Sequence, residues 1–273
     1  MEGFAADRVP PLGAGTVLVP WPNRIRDGIW THGGVRHLLA ITEPVLMNAI
    51  HGLLAVTAYR PAAQSAESVT LLATVYPQVG YPYQLDTTVT YTLTADGLAV
   101  THTISNAGGD DAPVALGTHP YLKIGDVPTE DLVLTLAATS HIDVDHRLNP
   151  IGETPVAGTR FDLRAGARVG DLDLDDGFGG VISQDGRGEH SLTAPDGRRV
   201  TLWGDDNMAD VQVFTPRIFP VRTGDTTRLG QAVAIEPMTA PADAFNSGRG
   251  LRWLAPGEEW VVRWGIAPAG FAD

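Results

Sequence analysis

The sequence predicts an all-β fold, an antiparallel sandwich or barrel. Gly (31 residues) and Pro (20 residues) are frequent, and they separate short runs rich in Val, Thr, Ile and Leu. This pattern is typical of many strands joined by tight turns. Two stretches alternate apolar and polar residues on both sides of a turn, as β-hairpins do, and no long apolar stripe of period 3.6 indicates a helix.

Two hairpins are the clearest predicted elements. The first spans residues 83–106, where TTVTYTLT and LAVTHTIS flank a turn at residues 95–97, and the second spans residues 190–203. Strict alternation in the first predicts one buried and one solvated face. The other predicted segments are strands at 114–116, 131–137, 210–215, 232–236 and 259–266 and, at most, a short helical turn within 163–173. No repeat or linker divides the chain, so residues 1–273 are expected to form one domain.

The composition excludes several classes of protein. A formal net charge of −13 argues against a nucleic-acid or anionic-membrane partner, since both favour clusters of Lys and Arg. The absence of Cys excludes disulfides, thiolate nucleophiles and Cys-ligated metals, and it fits a cytoplasmic protein. The N-terminal segment lacks the pattern of a signal peptide, and no apolar run approaches the roughly 18 residues that span a bilayer.

A carboxylate at the end of an apolar run is the first candidate for chemistry. Residues 232–235 are apolar, and they lead directly into Glu236 and Pro237. Because proline cannot donate to a sheet ladder, the strand is expected to end at Glu236. A carboxylate held there, close to the core, is either raised in pKa by burial or fixed by hydrogen bonds, and both suit acid–base chemistry. The alternative is a strand-end Glu that points to solvent.

The segment VPWPNRIRDG (19–28) is the second candidate. Two prolines frame Trp21, and Arg24 follows shortly after. An indole face can stack on a sugar ring, and a guanidinium can donate several hydrogen bonds to hydroxyls. The alternative is a surface turn with a packed Trp.

Two histidines form the third candidate. His51 precedes Gly52 and His119 precedes Pro120, each in an otherwise apolar setting. Histidine is the usual proton donor or acceptor near neutral pH. The alternative, for either residue, is a His satisfied by a backbone carbonyl.

Two acidic segments do not fit metal sites. In DLDLDDGFGG (171–180) the sixth position is Asp176, where a calcium-binding EF-hand loop needs Gly, and the twelfth is Ile182, where it needs Glu. This segment is therefore either a solvated turn or an acceptor of sugar hydroxyls. In HIDVDH (141–146) the two histidines would point to opposite faces of a strand, so this segment is expected at the surface.

Taken together, these motifs resemble the aldose 1-epimerase (galactose mutarotase) family, and the match is closest to its bacterial branch. The matching segments are residues 20–28, 51–52, 117–122, 174–178 and 236–246, which correspond in order to the family motifs PWPNRIxDG, HG, GxHPYL, LDxxF and EPMTxPxDAFN. The resemblance covers nearly the whole chain. It implies a large antiparallel β-sandwich, the galactose mutarotase-like supersandwich, and a reaction that interconverts the α and β anomers of an aldose without a metal or cofactor.

The resemblance also implies roles for individual residues. Glu236 matches the general base that removes the proton of the anomeric hydroxyl, and His119 matches the general acid that protonates the ring oxygen. His51 matches a second histidine that contacts the sugar, and Arg24 and Asp175 match residues that hold ring hydroxyls. With ordinary pKa values of about 4.3 and 6.5, a Glu is ionised and a His partly protonated near neutral pH, which suits these roles.

Some alternatives stay open at this point. The same fold can serve as a non-catalytic carbohydrate-binding domain, or as a hexose-6-phosphate epimerase if a basic cluster binds the phosphate. The candidates for that cluster are Arg24, Arg26, Arg217 and Arg222. Only about twenty residues precede Trp21, fewer than two strands and a turn require, so either the domain is short at its N-terminus and lacks an edge, or the chain starts late. A missing edge would leave a strand exposed, which leads to the hypothesis of a homodimer or of reduced solubility. The expected partner is a small-molecule sugar, and the sequence does not specify which aldose.

Overall fold

The computed structural model describes residues 9–223 and 226–271, and strands dominate it. In the first half of the chain the strands are β1 (Val17–Leu18), β2 (Arg24–Arg26), β3 (Ile29–His32), β4 (Val35–Leu38), β5 (Asn48–Ile50), β6 (Arg60–Gln64), β7 (Ser68–Val75), β8 (Leu85–Thr94), β9 (Gly97–Asn106), β10 (Ala112–Val114), β11 (Gly117–Thr118) and β12 (Val133–Leu136). In the second half they are β13 (Ser140–Val144), β14 (Pro150–Pro155), β15 (Ala167–Arg168), β16 (Asp175–Gly179), β17 (Ser183–Gln184), β18 (Arg187–Thr193), β19 (Arg199–Asp205), β20 (Asp210–Phe214), β21 (Phe219–Thr223), β22 (Thr226–Gly230), β23 (Ala234–Met238), β24 (Arg252–Leu254) and β25 (Glu259–Ala269).

Helical structure is short. One turn of α-helix, α1, covers Ala244–Ser247, and 3₁₀ turns cover Pro11–Gly13, Thr129–Asp131 and Val169–Asp171. The last of these turns lies within residues 163–173, where the sequence predicts a short helical turn at most. No helix among the described residues is long and apolar enough to cross a membrane.

Two antiparallel sheets carry the fold. A 7-stranded sheet has the order β1-β11-β23-β20-β16-β13-β14, and a 10-stranded sheet has the order β15-β12-β18-β19-β25-β9-β8-β7-β6, with β17 beside β18. Buried side chains of both sheets, among them Phe178 and Ile235 from the first and Leu202 and Val262 from the second, join one apolar cluster. The predicted all-β antiparallel sandwich is therefore confirmed.

Both predicted hairpins are confirmed. β8 and β9 pair along their whole length around the turn at 95–96, and β18 and β19 pair around residues 194–198. The alternation predicted for the first hairpin is visible in β8, whose buried positions Leu85, Thr87 and Val89 are two residues apart. The strand predicted at 114–116 is displaced, because β10 ends at Val114 and β11 begins at Gly117.

The strand that carries Glu236 does not end there, so that expectation is wrong. β23 begins at Ala234 and continues through Pro237. The N–H groups of Ile235 and Thr239 both donate to carbonyls on the side of β11. Because N–H groups alternate sides along a strand, the N–H that Pro237 lacks would also lie on that side, and the ladder to β20 stays intact. Proline is tolerated at position 237 because its missing N–H would face β11, which pairs with β23 at fewer positions than β20 does.

The expected surface position of residues 141–146 is also partly wrong. His146 is exposed, but His141 is buried in β13, with its ring stacked on Phe161 at 3.6 Å between centroids. Its two ring nitrogens lie 2.9 Å from Asp143 Oδ1 and 2.8 Å from Asp176 Oδ1. A histidine that is paired at both nitrogens can be buried at little cost, which the sequence pattern alone does not reveal.

Candidate active site

Four polar side chains form a row across neighbouring strands of the 7-stranded sheet. His119 directly follows β11, Glu236 lies in β23, Gln212 in β20, and Asp175 opens β16. Gln212 pairs with Glu236 across the ladder, and Gly177 pairs with Gln212. Since paired residues and residues two apart share a face, the row projects to one side of the sheet. Gly177 leaves room for the side chain of Gln212, because a Cβ at position 177 would lie 3.2 Å from the Gln212 side-chain oxygen.

The β2–β5 ribbon brings two more predicted residues to this face. Arg24 pairs with Ile50, so His51 follows immediately beyond the ladder. The His51 N–H donates to the carbonyl of Asn23 at 2.9 Å, and both residues have positive φ angles. The rings of His51 and His119 meet edge to face, with centroids 5.5 Å apart.

Glu236 and His119 face each other in a buried setting. His119 Nε2 lies 3.4 Å from Glu236 Oε1, and the two side chains are only 5% and 2% exposed. Burial raises the pKa of Glu236 well above its ordinary value; the negative charge of Asp175 raises it further, and the positive charge of Arg24 opposes both. Burial lowers the pKa of His119 to about 4. Burial thus favours the neutral form of each group, in contrast to the ionised pair expected from ordinary pKa values.

Three buried polar atoms around this pair have no hydrogen-bond partner. They are Glu236 Oε2, His119 Nδ1 and His51 Nδ1. Burial lowers the pKa of His51 well below its ordinary value, and the charges of His119 and Arg24 lower it further. Buried polar atoms are nearly always satisfied, so a group of unsatisfied ones indicates a place that receives polar groups from a ligand.

Arg24 and Asp175 belong to a hydrogen-bonded network beside the pair. Arg24 Nη2 lies 3.4 Å from Asp175 Oδ2, and Gln212 Nε2 donates to Asp175 Oδ1 at 2.7 Å. Arg24 also forms two short hydrogen bonds to Glu43. Burial would lower the pKa of Arg24, but the hydrogen bond to Glu43 and the charge of Asp175 outweigh it and raise that pKa. Asp176 points away from this network, to His141.

Trp21 lies deeper in the protein than a surface sugar platform would. Its side chain is only 2% exposed and lies in the apolar core, with its ring edge against Phe245 at 5.6 Å. The segment that carries it is buried over residues 17–25, because it runs beneath Leu53 and Leu54, whose N–H groups donate to Val19. This burial favours the packed alternative, but Trp21 Nε1 is a buried donor without a hydrogen-bond partner, so a contact of Trp21 with the sugar stays a prediction.

The N-terminal segment covers His119 from one side. Tyr121, which stacks on His119 at 5.3 Å, donates its hydroxyl to the Leu12 carbonyl at 3.1 Å. A Cβ placed on Gly13 would lie 3.0 Å from Cδ2 and 3.2 Å from Nε2 of the imidazole. A side chain at position 13 would therefore meet the ring that carries the predicted acid.

Sequence reasoning missed Glu43, Gln212 and Gly13 as residues of the site. Gln212 gives one usable signal, because it is a lone amide between two valines in the strand predicted at 210–215. Glu43 and Gly13 give none, since their importance depends on contacts with residues distant in sequence. The part of the chain that the structure describes contains no group of three or more His, Asp or Glu side chains able to hold a metal ion.

Comparisons with known proteins identify the family and the fold. The model of the aldose 1-epimerase family matches residues 6–266. The chain is 31% identical over 254 residues to an uncharacterised protein of Escherichia coli K12, YihR, covering 92% of this chain and 78% of that protein. It is 32% identical over 180 residues to the galactose mutarotase of Mus musculus, covering 62% of this chain and half (50%) of the mouse protein. A crystal structure of a GalM/aldose epimerase homologue from C. elegans superposes with a TM-score of 0.82 at 18% identity, covering 96% of this chain and 84% of that one.

The chain therefore belongs to the aldose 1-epimerase family. Its class is that of the isomerases that interconvert the anomers of an aldose, and its fold is that of galactose mutarotase-like proteins.

Proposed function

We propose that Glu236 and His119 open and close the ring of a free aldose and so exchange its α and β anomers. One observation carries this assignment: a carboxyl and an imidazole face each other at 3.4 Å, and each has a further buried polar atom without a partner. The anomeric oxygen O1 and the ring oxygen O5 are bonded to the same carbon, C1. A base and an acid this close together can therefore serve both oxygens of one sugar.

The proton inventory of the reaction is balanced. In ring opening, the Glu236 carboxylate takes the proton from O1, the C1–O5 bond breaks, C1=O1 forms, and His119 gives its proton to O5. The C1–C2 bond of the open aldehyde then rotates. In ring closure, the neutral His119 takes the O5 proton while the Glu236 carboxylic acid returns its proton to O1. One proton on the pair is sufficient for both directions.

Burial supports this one-proton form. An ionised Glu236 with a protonated His119 and a neutral Glu236 with a neutral His119 hold the same number of protons. Desolvation favours the neutral arrangement, which suits closure, and mutual attraction in a site of low dielectric favours the ionic one, which suits opening. Two such arrangements of similar free energy would let the same pair act in both directions.

Arg24, Asp175 and His51 are assigned to holding the sugar. Arg24 donates, and Asp175 accepts, on the same face as Glu236. His51 has an unpartnered Nδ1, and its imidazole lies edge to face against that of His119. Since His119 serves the ring oxygen O5 of the sugar, His51 is placed to contact the sugar near O5. These residues would fix C1 between base and acid, and positioning of this kind is a large part of catalysis in general.

The described contacts disfavour a hexose-6-phosphate as substrate. Arg26 is paired with Asp145 at 2.8 Å, and Arg217 donates to the carbonyls of Gly170 and Leu172. Arg24 is held by two carboxylates. The side chain of Arg222, the remaining candidate, lies outside the described residues. A non-catalytic sugar-binding domain is the other alternative, but binding alone does not require a base and an acid at adjacent oxygens.

We also propose a cytoplasmic location, which the absence of Cys supports. The homodimer expected from the sequence stays a prediction. Edge strand β6 is exposed along its length but contains Pro61 and a shift in register, and natural sheets use both features against edge-to-edge pairing. Sedimentation of the purified protein distinguishes a monomer from a dimer.

Polarimetry tests the proposed function. Freshly dissolved α-D-glucose and α-D-galactose should reach equilibrium rotation faster with the wild-type protein, and Glu236→Gln should lower that rate by about 10²- to 10⁴-fold. A Gln of nearly equal size keeps the shape of the site, so the variant should still bind the sugar in calorimetry. Binding without any acceleration by the wild type would instead identify a carbohydrate-binding domain.

A further inference from the structure

The guanidinium of Arg24 is fixed by a carboxylate that the sequence motifs do not include. Arg24 Nε donates to Glu43 Oε2 at 2.9 Å and Nη2 donates to Glu43 Oε1 at 2.8 Å. This two-pronged geometry is the strongest that an Arg–carboxylate pair forms, and it fixes the plane of the guanidinium as well as its position. Both side chains are largely shielded from solvent, at 8% and 18% exposure, so the pair is screened little by water.

Glu43 is itself anchored from the strand that follows it. Asn48 Nδ2 donates to Glu43 Oε2 at 3.1 Å, and a second hydrogen of the same amide group donates to the carbonyl of Arg147. The backbones of Glu43 and Asn48 form an isolated β-bridge. The carboxylate therefore has little freedom to follow Arg24 if the guanidinium moves.

The opposite edge of the guanidinium is held only loosely. Nη1 lies 3.4 Å from Asn23 Oδ1, and Nη2 lies 3.4 Å from Asp175 Oδ2. These distances are long for hydrogen bonds that involve charged groups, so donors on this edge are available to a ligand. The edge faces Asp175, which is the hydroxyl acceptor assigned above.

We infer that Glu43 is a positioning residue for sugar binding. It binds the Nε–Nη2 edge of the Arg24 guanidinium and so orients the opposite edge, whose hydrogen bonds are long, toward the hydroxyls of the substrate. This inference rests on the proposed function. Glu43 does not touch the reacting atoms, and it acts only through Arg24. Its removal should therefore weaken substrate binding much more than the chemical step.

A second Arg–carboxylate pair on the same strand gives a matched control. Arg26 lies two residues after Arg24 in β2, and its Nη1 bonds Asp145 Oδ2 at 2.8 Å. That pair is more exposed, at 35% and 20%. The side-chain hydrogen bonds described for Arg26 and Asp145 go to Asp243, Pro150, Arg147 and Asn149 and to each other, outside the row formed by His119, Glu236, Gln212 and Asp175. Asp145 Oδ1 also accepts the N–H groups of Arg147 and Asn149, so the control is Asp145→Asn, which keeps that oxygen and should leave sugar binding unchanged.

A double-mutant cycle on mutarotation kinetics tests the inference. Glu43→Gln should raise KM about tenfold and change kcat by less than about threefold, while Arg24→Gln should lower kcat/KM by about a hundredfold. Because Glu43 acts through Arg24, adding Glu43→Gln to Arg24→Gln should cause no further loss. Asp145→Asn should stay within about twofold of the wild type.

The outcomes are separable. Full additivity of Glu43→Gln and Arg24→Gln, or a loss confined to kcat, would overturn the inference. A wild-type protein that does not accelerate mutarotation would overturn the proposed function instead. Glu43→Asp, which keeps the charge on a shorter side chain, provides a second variant if Glu43→Gln fails to fold, and it should give a smaller rise in KM with the same absence of additivity.

Discussion

Two buried histidines of this protein lie beside carboxylates, but their surroundings differ. His141 is 6% exposed, and both of its ring nitrogens have carboxylate partners, on Asp143 and Asp176. His119 is 4% exposed, but Nδ1 has no partner, and Nε2 faces Glu236 at a distance too long for a good hydrogen bond. Burial and acidic neighbours are common to both sites, so they do not identify the reactive one.

The two histidines differ in whether their ring nitrogens have hydrogen-bond partners. A fully bonded buried group stabilises the fold and has no capacity left for a ligand. An unsatisfied buried group costs about 1–3 kcal/mol, and a ligand that supplies the missing partner recovers this free energy on binding. The comparison therefore predicts that changes around His119 alter catalysis and that changes around His141 alter stability.

The dependence of kcat/KM on pH should show the largest effect. The one-proton pair gains a second proton as pH falls through the lowered pKa of His119, about 4, and loses its only proton as pH rises through the raised pKa of Glu236. The profile should be a bell, with the rate falling about tenfold per pH unit on each side. The two limbs belong to the coupled pair rather than to single residues. A profile that is flat across both limbs would contradict the one-proton mechanism.

His51→Asn should lower kcat/KM by about 10- to 100-fold, because the variant loses the ring that lies edge to face against His119 and replaces the imidazole nitrogen that faces the sugar by an amide. Steady-state mutarotation measurements would show the loss. His32, an exposed histidine whose ring packs against Trp253, is the matched control, and His32→Asn should leave the rate unchanged. Equal losses in both variants would remove His51 from the site.

Gly13→Val should lower kcat by about tenfold, since the new side chain meets the His119 ring and small displacements of a catalytic group are costly. Gly158 is a well-matched control. It has the same φ of +75°, and a Cβ there has no atom within 4 Å. Gly158→Val carries the same backbone strain away from His119 and should keep its rate. Similar kcat values for the two variants would show that contact with His119 does not matter.

His141→Gln should lower the free energy of unfolding by about 1–3 kcal/mol, because one glutamine amide cannot serve two carboxylates and the stacking on Phe161 is lost. Urea denaturation measures this change. His146→Gln, at the exposed histidine of the same segment, should stay within about 0.5 kcal/mol of the wild type. A larger change at His146 than at His141 would contradict the structural role.

The sequence predicts the architecture well where local rules decide. Alternation and turn residues locate β8, β9, β18 and β19, because hairpin register depends on neighbours in sequence. Motif order indicates the family and the residues near the site. Of these, Arg24, His51, His119, Asp175 and Glu236 lie together in the structure.

The remainder depends on contacts that sequence position does not encode. Pro237 lies inside a strand because its missing N–H faces β11, and that side is known only from the fold. Trp21 is packed in the core although prolines flank it. Glu43 reaches Arg24 from a loop, and the raised pKa of Glu236 comes from tertiary burial.

The most direct test compares His119→Gln with His141→Gln by polarimetry on freshly dissolved α-D-galactose, at equal concentrations of folded protein. We expect the rate of His119→Gln to fall about 10²- to 10⁴-fold and that of His141→Gln to stay within about threefold of the wild type. A wild-type rate in His119→Gln, or a greater loss in His141→Gln than in His119→Gln, would contradict this expectation.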